Sequence, residues 1–406
     1  MRLERCPKIS SGTGIRTVLP EDTLKRAIPL LEKAGMKPLE DITEMDNIGI
    51  PVFSIYRDST AKGTFGNYNG KGATKEQAMA SAVMEALERY SAEVREDDEI
   101  IYGTYEQAKA NGLTVNPYDL ILPMNVLNYV QDAQIAWTEG FEMFRGEPVW
   151  VPACEAFYPY YPDGDLQLYR FHTNGLAAGN TMEEAILHAL FELIERDAWS
   201  IAEFNEYANA DIEIDDENSV AWKLLKQFEE NGVEIHLKDL TSDIGIPTIG
   251  AAADDVRTKD PELLTIGVGT HLNPEIACIR ALTEVAQSRT THKHGIKINA
   301  QLQKKTQDMG YEKIKKINRM WYSDSKNRKK LSEMVNEATD YVLDDIEIVL
   351  GRLMERGFDM VVAVDLTREE IGVPVVRMVV PGLEVYTMDA NREGNRLYGR
   401  WPITKN

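Results

Sequence analysis

The sequence predicts an α+β fold in which mixed sheets support three quasi-equivalent long helices. Strand-like and helix-like stretches mix without the regular alternation of a doubly wound sheet. Three of the helical stretches share one start signal and one register of polar residues. At 406 residues and 43% hydrophobic content, the chain has enough apolar material for a large core in two or three structural units.

Residues 22–34 (DTLKRAIPLLEKA) have amphipathic helical spacing, broken near Pro29 and closed by Gly35. Residues 50–57 (IPVFSIYR) read as a strand, and Gly63 to Gly72 as a glycine-rich turn. A long helix is predicted from Thr74 to about Glu93. Within the irregular Tyr-, Pro- and Gly-rich stretch 100–170, strands are expected at 135–144 and 147–158. A second long helix follows Gly179 and Asn180. Between 219 and 270 a helix precedes strands at VEIHLKDL, PTIGAAADD and LLTIGVGT, and a third long helix starts at Asn273-Pro274. Residues 301–330 are polar and basic without clear periodicity. A last helix, about 333–356, leads to strands at 359–366 and 374–381.

A net charge of −21 repels polyanions, so nucleic acid is excluded as a partner unless a local basic patch binds it. Apolar runs such as Met360 to Val364 are too short to cross a bilayer. Cys6, Cys154 and Cys278 form neither a disulfide framework nor a C-x-x-C ligand pair, and no apolar leader is visible at the N-terminus. A cytoplasmic protein is expected, with Cys154 and Cys278 as buried inert thiols.

The three long helices open on Thr74, Thr181 and Asn273, residue types that cap helix N-termini. Gln77 and Glu184 follow the two threonines at capping-box spacing, and Pro274 suits a first helical position. Seven residues after each cap stand Ser81, His188 and Arg280. Eleven after come Glu85, Glu192 and Glu284, and fourteen after come Glu88, Glu195 and Gln287. At 3.6 residues per turn these positions share one face, so each helix carries a polar stripe in the same register.

A solvated face is the ordinary reading of glutamates on a helix. Here Ala78–Leu87 is apolar apart from Ser81 and Glu85, and Ala185–Ile194 is apolar apart from His188 and Glu192. Helices apolar nearly all round are buried, and a buried carboxylate needs a cation, hydrogen-bond donors or a proton. Arg89 and Arg196 are too few to serve Glu85, Glu88, Glu184, Glu192, Glu195 and Glu284. Shared Mg2+ ions meet the need, and carboxylate-rich Mg2+ sites usually handle phosphates. A structural salt-bridge network is the competing reading. Gly66-Asn67-Tyr68-Asn69-Gly70-Lys71-Gly72 is one residue short of a P-loop and has Gly72 where Ser or Thr belongs, and no dinucleotide fingerprint is present.

The succession Ser81-x-x-x-Glu85-x-x-Glu88-Arg89, Glu184 with Glu192-x-x-Glu195-Arg196, and Glu284-x-x-Gln287 resembles the YcaO family. So do the surrounding GKGATKEQAMASAVMEALERY, TNGLAAGNTMEEAILHALFELIERD and VPVVRMVVPGLE. The resemblance implies ATP-dependent activation of a peptide backbone amide, with ATP and Mg2+ as cofactors. It implies metal ligation by Glu85, Glu88, Glu184, Glu192, Glu195 and Glu284, and nucleotide contacts from Ser81, Arg89, His188, Arg196, Gln287, Arg16 and Thr23. No side chain is assigned as a general base. The implied division is an N-terminal segment (1–60) contributing to nucleotide or peptide binding, a catalytic core (61–300 and 331–390), a basic connector (301–330) and a C-terminal tail (391–406).

Azoline-forming members commonly end in Pro-x-Pro-x-Pro, whereas this sequence ends Arg-Trp-Pro-Ile-Thr-Lys-Asn. The pattern is most similar to methanogen-type, TfuA-associated members that install thioglycine in methyl-coenzyme M reductase. That resemblance implies a protein substrate and sulfide or a sulfur donor; a TfuA-like partner and a homodimer are further expectations that the residues leave open. Two alternatives stay open: an azoline-forming cyclodehydratase, and a non-catalytic metal-binding scaffold.

Overall fold

The computed structural model describes residues 1–10, 15–60, 63–64, 66–294 and 300–401. Three sheets carry the three long helices, beside a two-stranded pairing of Ile9–Ser10 with Ile15–Arg16. A three-stranded antiparallel sheet joins Glu40–Asp41, Val52–Tyr56 and Asn67–Lys71. A six-stranded sheet runs Ile101–Gly103, Ile135–Glu142, Val362–Asp365, Val375–Val379 and Leu176–Ala178, with Glu147–Pro152 also on Ile135–Glu142. A five-stranded sheet runs Ile266–Thr270, Thr248–Asp254, Glu234–Asp239, Ala210–Glu213 and Arg328–Lys330, antiparallel except for its last pair. The α+β expectation holds, because sequence-distant segments such as 135–142 and 362–365 pair in one sheet.

Each sheet has one edge strand that leads by a tight turn into one long helix. Asn67–Lys71 leads to Lys75–Ser91, Leu176–Ala178 to Met182–Asn205, and Ile266–Thr270 to Pro274–Lys293. Alanines four and eight residues after each cap (Ala78 and Ala82, Ala185 and Ala189, Ala277 and Ala281) are fully buried and let helix and strand approach closely. A Cβ on Gly70 would lie 2.0 Å from Ala82 N and 2.2 Å from Ala78 O, and one on Gly269 would lie 2.2 Å from Ala277 O. Each helix also packs on the edge strand of the next unit, the third closing back on the first. The result is a cyclic arrangement of three strand–turn–helix units around one axis.

Four expectations are corrected. The segment read as a glycine-rich turn contains the edge strand Asn67–Lys71: Gly63, at φ +82°, belongs to the chain reversal before the strand, whereas Gly70 and Gly72 let the backbone approach helix Lys75–Ser91. The helix expected to break near Pro29 runs unbroken from Pro20 to Lys33, its buried Leu24, Ala27 and Leu31 seated against helix Lys75–Ser91. Residues 301–330, expected as a solvated connector, form helices Tyr311–Ile317 and Arg319–Tyr322 and strand Arg328–Lys330, with Tyr311, Trp321 and Tyr322 buried against the five-stranded sheet. Three aromatic anchors hold down a segment whose composition is otherwise that of a solvated loop. The helix expected over 333–356 spans Val342–Glu355, a short 3-10 turn at Leu331–Glu333 taking the start of that stretch. Residues 402–406 of the tail lie outside the described residues.

Candidate functional site

The caps set the register of the stripes. Thr74 Oγ1 accepts from Gln77 N (3.3 Å), Thr181 Oγ1 from Glu184 N (3.2 Å) and Asn273 Oδ1 from Glu275 N (2.9 Å). The returning half of a capping box is missing in both threonine cases: Gln77 Oε1 accepts from Ala73 N, and the Glu184 carboxylate turns away to other donors. With caps and small residues fixing rotation, the three stripes face a common cavity of about 500 Å3. Every residue singled out above lines it: Arg16, Thr23, Ser81, Glu85, Glu88, Arg89, Glu184, His188, Glu192, Glu195, Arg196, Glu284 and Gln287.

Residues fourteen after the caps tie the units together. Glu88 Oε2 accepts from Ala178 N (3.1 Å), and Glu195 Oε2 accepts from Thr270 N (2.9 Å). Gln287 Nε2 donates to Asn69 O, closing the ring. Each bond satisfies a backbone group that an edge strand would otherwise leave open. Glu284 Oε2 accepts from Val268 N within its own unit (3.2 Å) and lies 3.8 Å from Lys71 Nζ.

Basic groups interleave with the carboxylates. Arg89 Nη1 is 2.8 Å from Glu88 Oε1, and Arg89 Nη2 donates to Glu85 Oε1 at 3.4 Å. Arg280 Nη2 is 3.5 Å from Glu195 Oε2. Glu184 clasps the N-terminal segment, accepting from Arg16 Nη1 (3.2 Å), Thr17 Oγ1 (2.7 Å) and Asn180 Nδ2 (3.2 Å). Thr23 Oγ1 donates to Asn180 Oδ1 at 2.9 Å. His188 Nδ1 faces Arg16 Nη2 at 3.2 Å; burial, then the charges of Arg280 and Arg16, hold its imidazole neutral, so Nδ1 accepts.

This balance leaves the carboxylates under-compensated. Burial pushes Glu88 up to about 8 against the pull of Arg89, with Glu85 and Glu192 adding repulsion. Burial likewise raises Glu195 to about 7, opposed by Arg280 and reinforced by Glu284. Glu192 is raised by burial too, and among the described residues it makes no hydrogen bond or ion pair. On the basic side, buried Arg196 Nε and Arg280 Nε lack acceptors. A cavity walled by proton-holding carboxylates and orphaned guanidinium N–H groups fits a divalent cation together with a polyanion. The donors aimed into it are oxygens, the set for Mg2+ rather than a thiolate- or imidazole-bound metal.

Polar contributors to the cavity wall outside the predicted set include Lys8, Asn69, Lys71, Asn180, His271 and Arg280. Arg280 occupies the seventh position of the third stripe, so the register alone could have found it. Asn69 and Lys71 were hidden in a segment mistaken for a turn. Cys154 and Cys278 are buried, as expected, and burial pushes both thiols up to about 12.

Residues 69–384 match the family described as "YcaO cyclodehydratase, ATP-ad Mg2+-binding". An uncharacterised protein of Methanothermobacter thermautotrophicus is 45% identical over 94% of this chain and 98% of its own length. Another, from the tfuA 3′ region of Rhizobium leguminosarum bv. trifolii, is 30% identical over 91% of this chain and 89% of its own. The structure of YcaO from Methanopyrus kandleri bound with AMPPCP and Mg2+ superposes with a TM-score of 0.79 at 31% identity, covering 96% of this chain and 98% of that one. A heterocyclase in complex with substrate and cofactor gives 0.83 at 25% identity, covering 97% of this chain and 55% of the other. A match running from the first edge strand to beyond the last spans all three units, and on that extent the chain belongs to the YcaO family of ATP- and Mg2+-binding enzymes.

Proposed function

We propose that this chain uses Mg2+-ATP to activate a backbone amide of a protein substrate and replaces its oxygen with sulfur. The observation that carries the reading is the convergence of carboxylates from three separate helices with buried guanidinium groups on one cavity. An amide is a poor electrophile whose oxygen is a poor leaving group, because resonance delocalises the nitrogen lone pair. Hydrosulfide adds to the amide carbon, and the resulting oxyanion takes the γ-phosphoryl group of ATP, releasing ADP. Collapse expels phosphate together with the S–H proton and leaves the thioamide.

Phosphoryl transfer of this kind needs positioning and charge neutralisation more than covalent help. Bound Mg2+ supplies the neutralising charge. Glu85, Glu88, Glu192, Glu195 and Glu284 are the residues that would hold it, with Glu184 on the same wall while it anchors the N-terminal segment. Arg89, Arg196, Arg280 and Lys71 present N–H donors for phosphate oxygens. Ser81, Gln287, Arg16 and Thr23 complete the nucleotide wall, and neutral His188 offers an Nε2–H donor.

On this reading the product is thioglycine in methyl-coenzyme M reductase; the likeness to the Methanothermobacter and Methanopyrus proteins favours that substrate, and the relative from a tfuA region favours a TfuA-like partner. The test incubates the protein with Mg2+-ATP, sulfide and a glycine-containing peptide from the α subunit of that enzyme, reading ADP release and peptide mass. Exchange of oxygen for sulfur is expected. Loss of water from a Cys- or Ser-containing peptide would make it a cyclodehydratase, and absence of substrate-stimulated ATP hydrolysis would leave a scaffold.

A further inference from the structure

Residues 304–330 reverse the charge of the molecule. Ten Lys and Arg against three Asp and Glu give this stretch a surplus of +7, leaving the rest of the chain at −28 within a total of −21. Part of that charge is used internally: Lys315 pairs with Asp254, Lys329 with Asp239 and Arg319 with Glu206. Lys304, Lys305, Lys313, Lys316 and Lys326 are exposed and make no ion pair among the described residues. Lys313 and Lys316 share one face of helix Tyr311–Ile317, next to Ile317, which is 56% exposed. Five exposed lysines without ion pairs in one segment, two of them beside an exposed apolar side chain, are more than solubility asks of a protein already far from neutrality.

The segment is anchored on the five-stranded sheet and reaches the site indirectly, through Trp199. Trp321 lies over Gly250 with no solvent exposure, and its Nε1 donates to Glu203 Oε2 at 2.9 Å. Trp199 Nε1 donates to the same oxygen at 3.3 Å, and the two indoles meet edge to face at 6.3 Å. The guanidinium of Arg196, on the cavity wall, stacks 5.0 Å over Trp199. A protein docked on the basic face therefore sits on an element that is linked through Trp199 to Arg196 on the cavity wall.

We propose that this basic face docks an acidic segment of the protein substrate, a reading that rests on the proposed action on a protein. Charge complementarity selects the occupant. A long nucleic acid would run off the patch onto a surface of net −28. A second copy offering its acidic surface would have to bring together two molecules of net charge −21 each. A short carboxylate-rich stretch fits a patch in which Asp308, Glu312 and Asp324 interrupt the lysines.

The test measures binding of a fluorescein-labelled twenty-residue oligoglutamate to wild-type protein and to the variant K313E/K316E/K326E, at low and moderate salt, beside Mg2+-nucleotide binding by each. Wild type should bind the peptide with an affinity that falls steeply with salt, and the variant should lose about tenfold or more. Nucleotide binding should be equal in the two proteins. Equal peptide affinity in both proteins would overturn the proposal. So would tighter binding of a twenty-nucleotide RNA through the same lysines, or a fall in oligomer mass in the variant. Failure of both proteins to bind nucleotide would instead count against the proposed function.

Discussion

Glu195 shows at the scale of one residue how stability and function compete in this cavity. Its carboxylate is buried, receives Thr270 N and Arg280, and still holds its proton up to about pH 7 because burial outweighs those donors. Glu195→Gln or Glu85→Gln should lower ATP consumption by at least about 100-fold while leaving the circular dichroism spectrum unchanged. The metal-free Glu195→Gln protein should also melt higher than wild type at about pH 8.5, since an amide carries no charge to desolvate. The pH dependence follows from the direction of the shifts. Glu88 and Glu195 rise from an ordinary 4.5 to about 8 and about 7, so the folded state keeps protons that the unfolded chain has released. Their contribution to stability is full below about pH 4.5 and is lost as pH rises through about 8. Thermal melts in chelator should fall across that window. If Glu88 and Glu195 hold Mg2+ as proposed, the ion must displace those protons, and its affinity should rise across the same window in calorimetric titrations.

At the scale of elements, each unit depends on a helix lying almost on the backbone of its strand. Gly70→Ala would place a Cβ 2.0 Å from Ala82 N, so helix Lys75–Ser91 must lift from its strand. The expected loss is about 1–3 kcal/mol in denaturant unfolding, with weaker Mg2+-nucleotide binding because Glu85 and Glu88 move with the helix. Thr181→Ala, which removes only the cap, should cost about 1 kcal/mol and leave nucleotide affinity nearly unchanged. A larger effect of Thr181→Ala than of Gly70→Ala on nucleotide binding would contradict this division between register and close approach.

For the whole molecule, the cavity exists only where three units from three sheets meet. A nucleotide bound there, as proposed, should stabilise every interface at once and bind no single unit alone. Saturating Mg2+-ATP analogue at about 100 times its dissociation constant should add about 2.7 kcal/mol to unfolding, read as one cooperative shift in the melt. Removing Mg2+ with chelator should reverse that shift. A melt split into two transitions, only one of them responding to nucleotide, would show that the units fold independently.

Much of this was legible in the residues. Three caps and three glutamates at equal spacing determined the helices, their register and the membership of the cavity, because helical periodicity converts spacing directly into a shared face. The capping-box pattern at Glu184 was misleading, since a carboxylate able to cap its own helix can equally bond Arg16, Thr17 and Asn180, and only the fold brings those within reach. Lys71 and Asn69 escaped notice because glycine signals a turn and a close strand–helix contact alike. The anchoring of residues 311–330 was decided by the five-stranded sheet that buries Trp321, a neighbour no local pattern announces. Local periodicity and capping are properties of adjacent residues and were determined by the sequence itself. The ring of bonds from Glu88, Glu195 and Gln287 to other units' strands joins residues far apart in the chain, so only the tertiary structure could decide it.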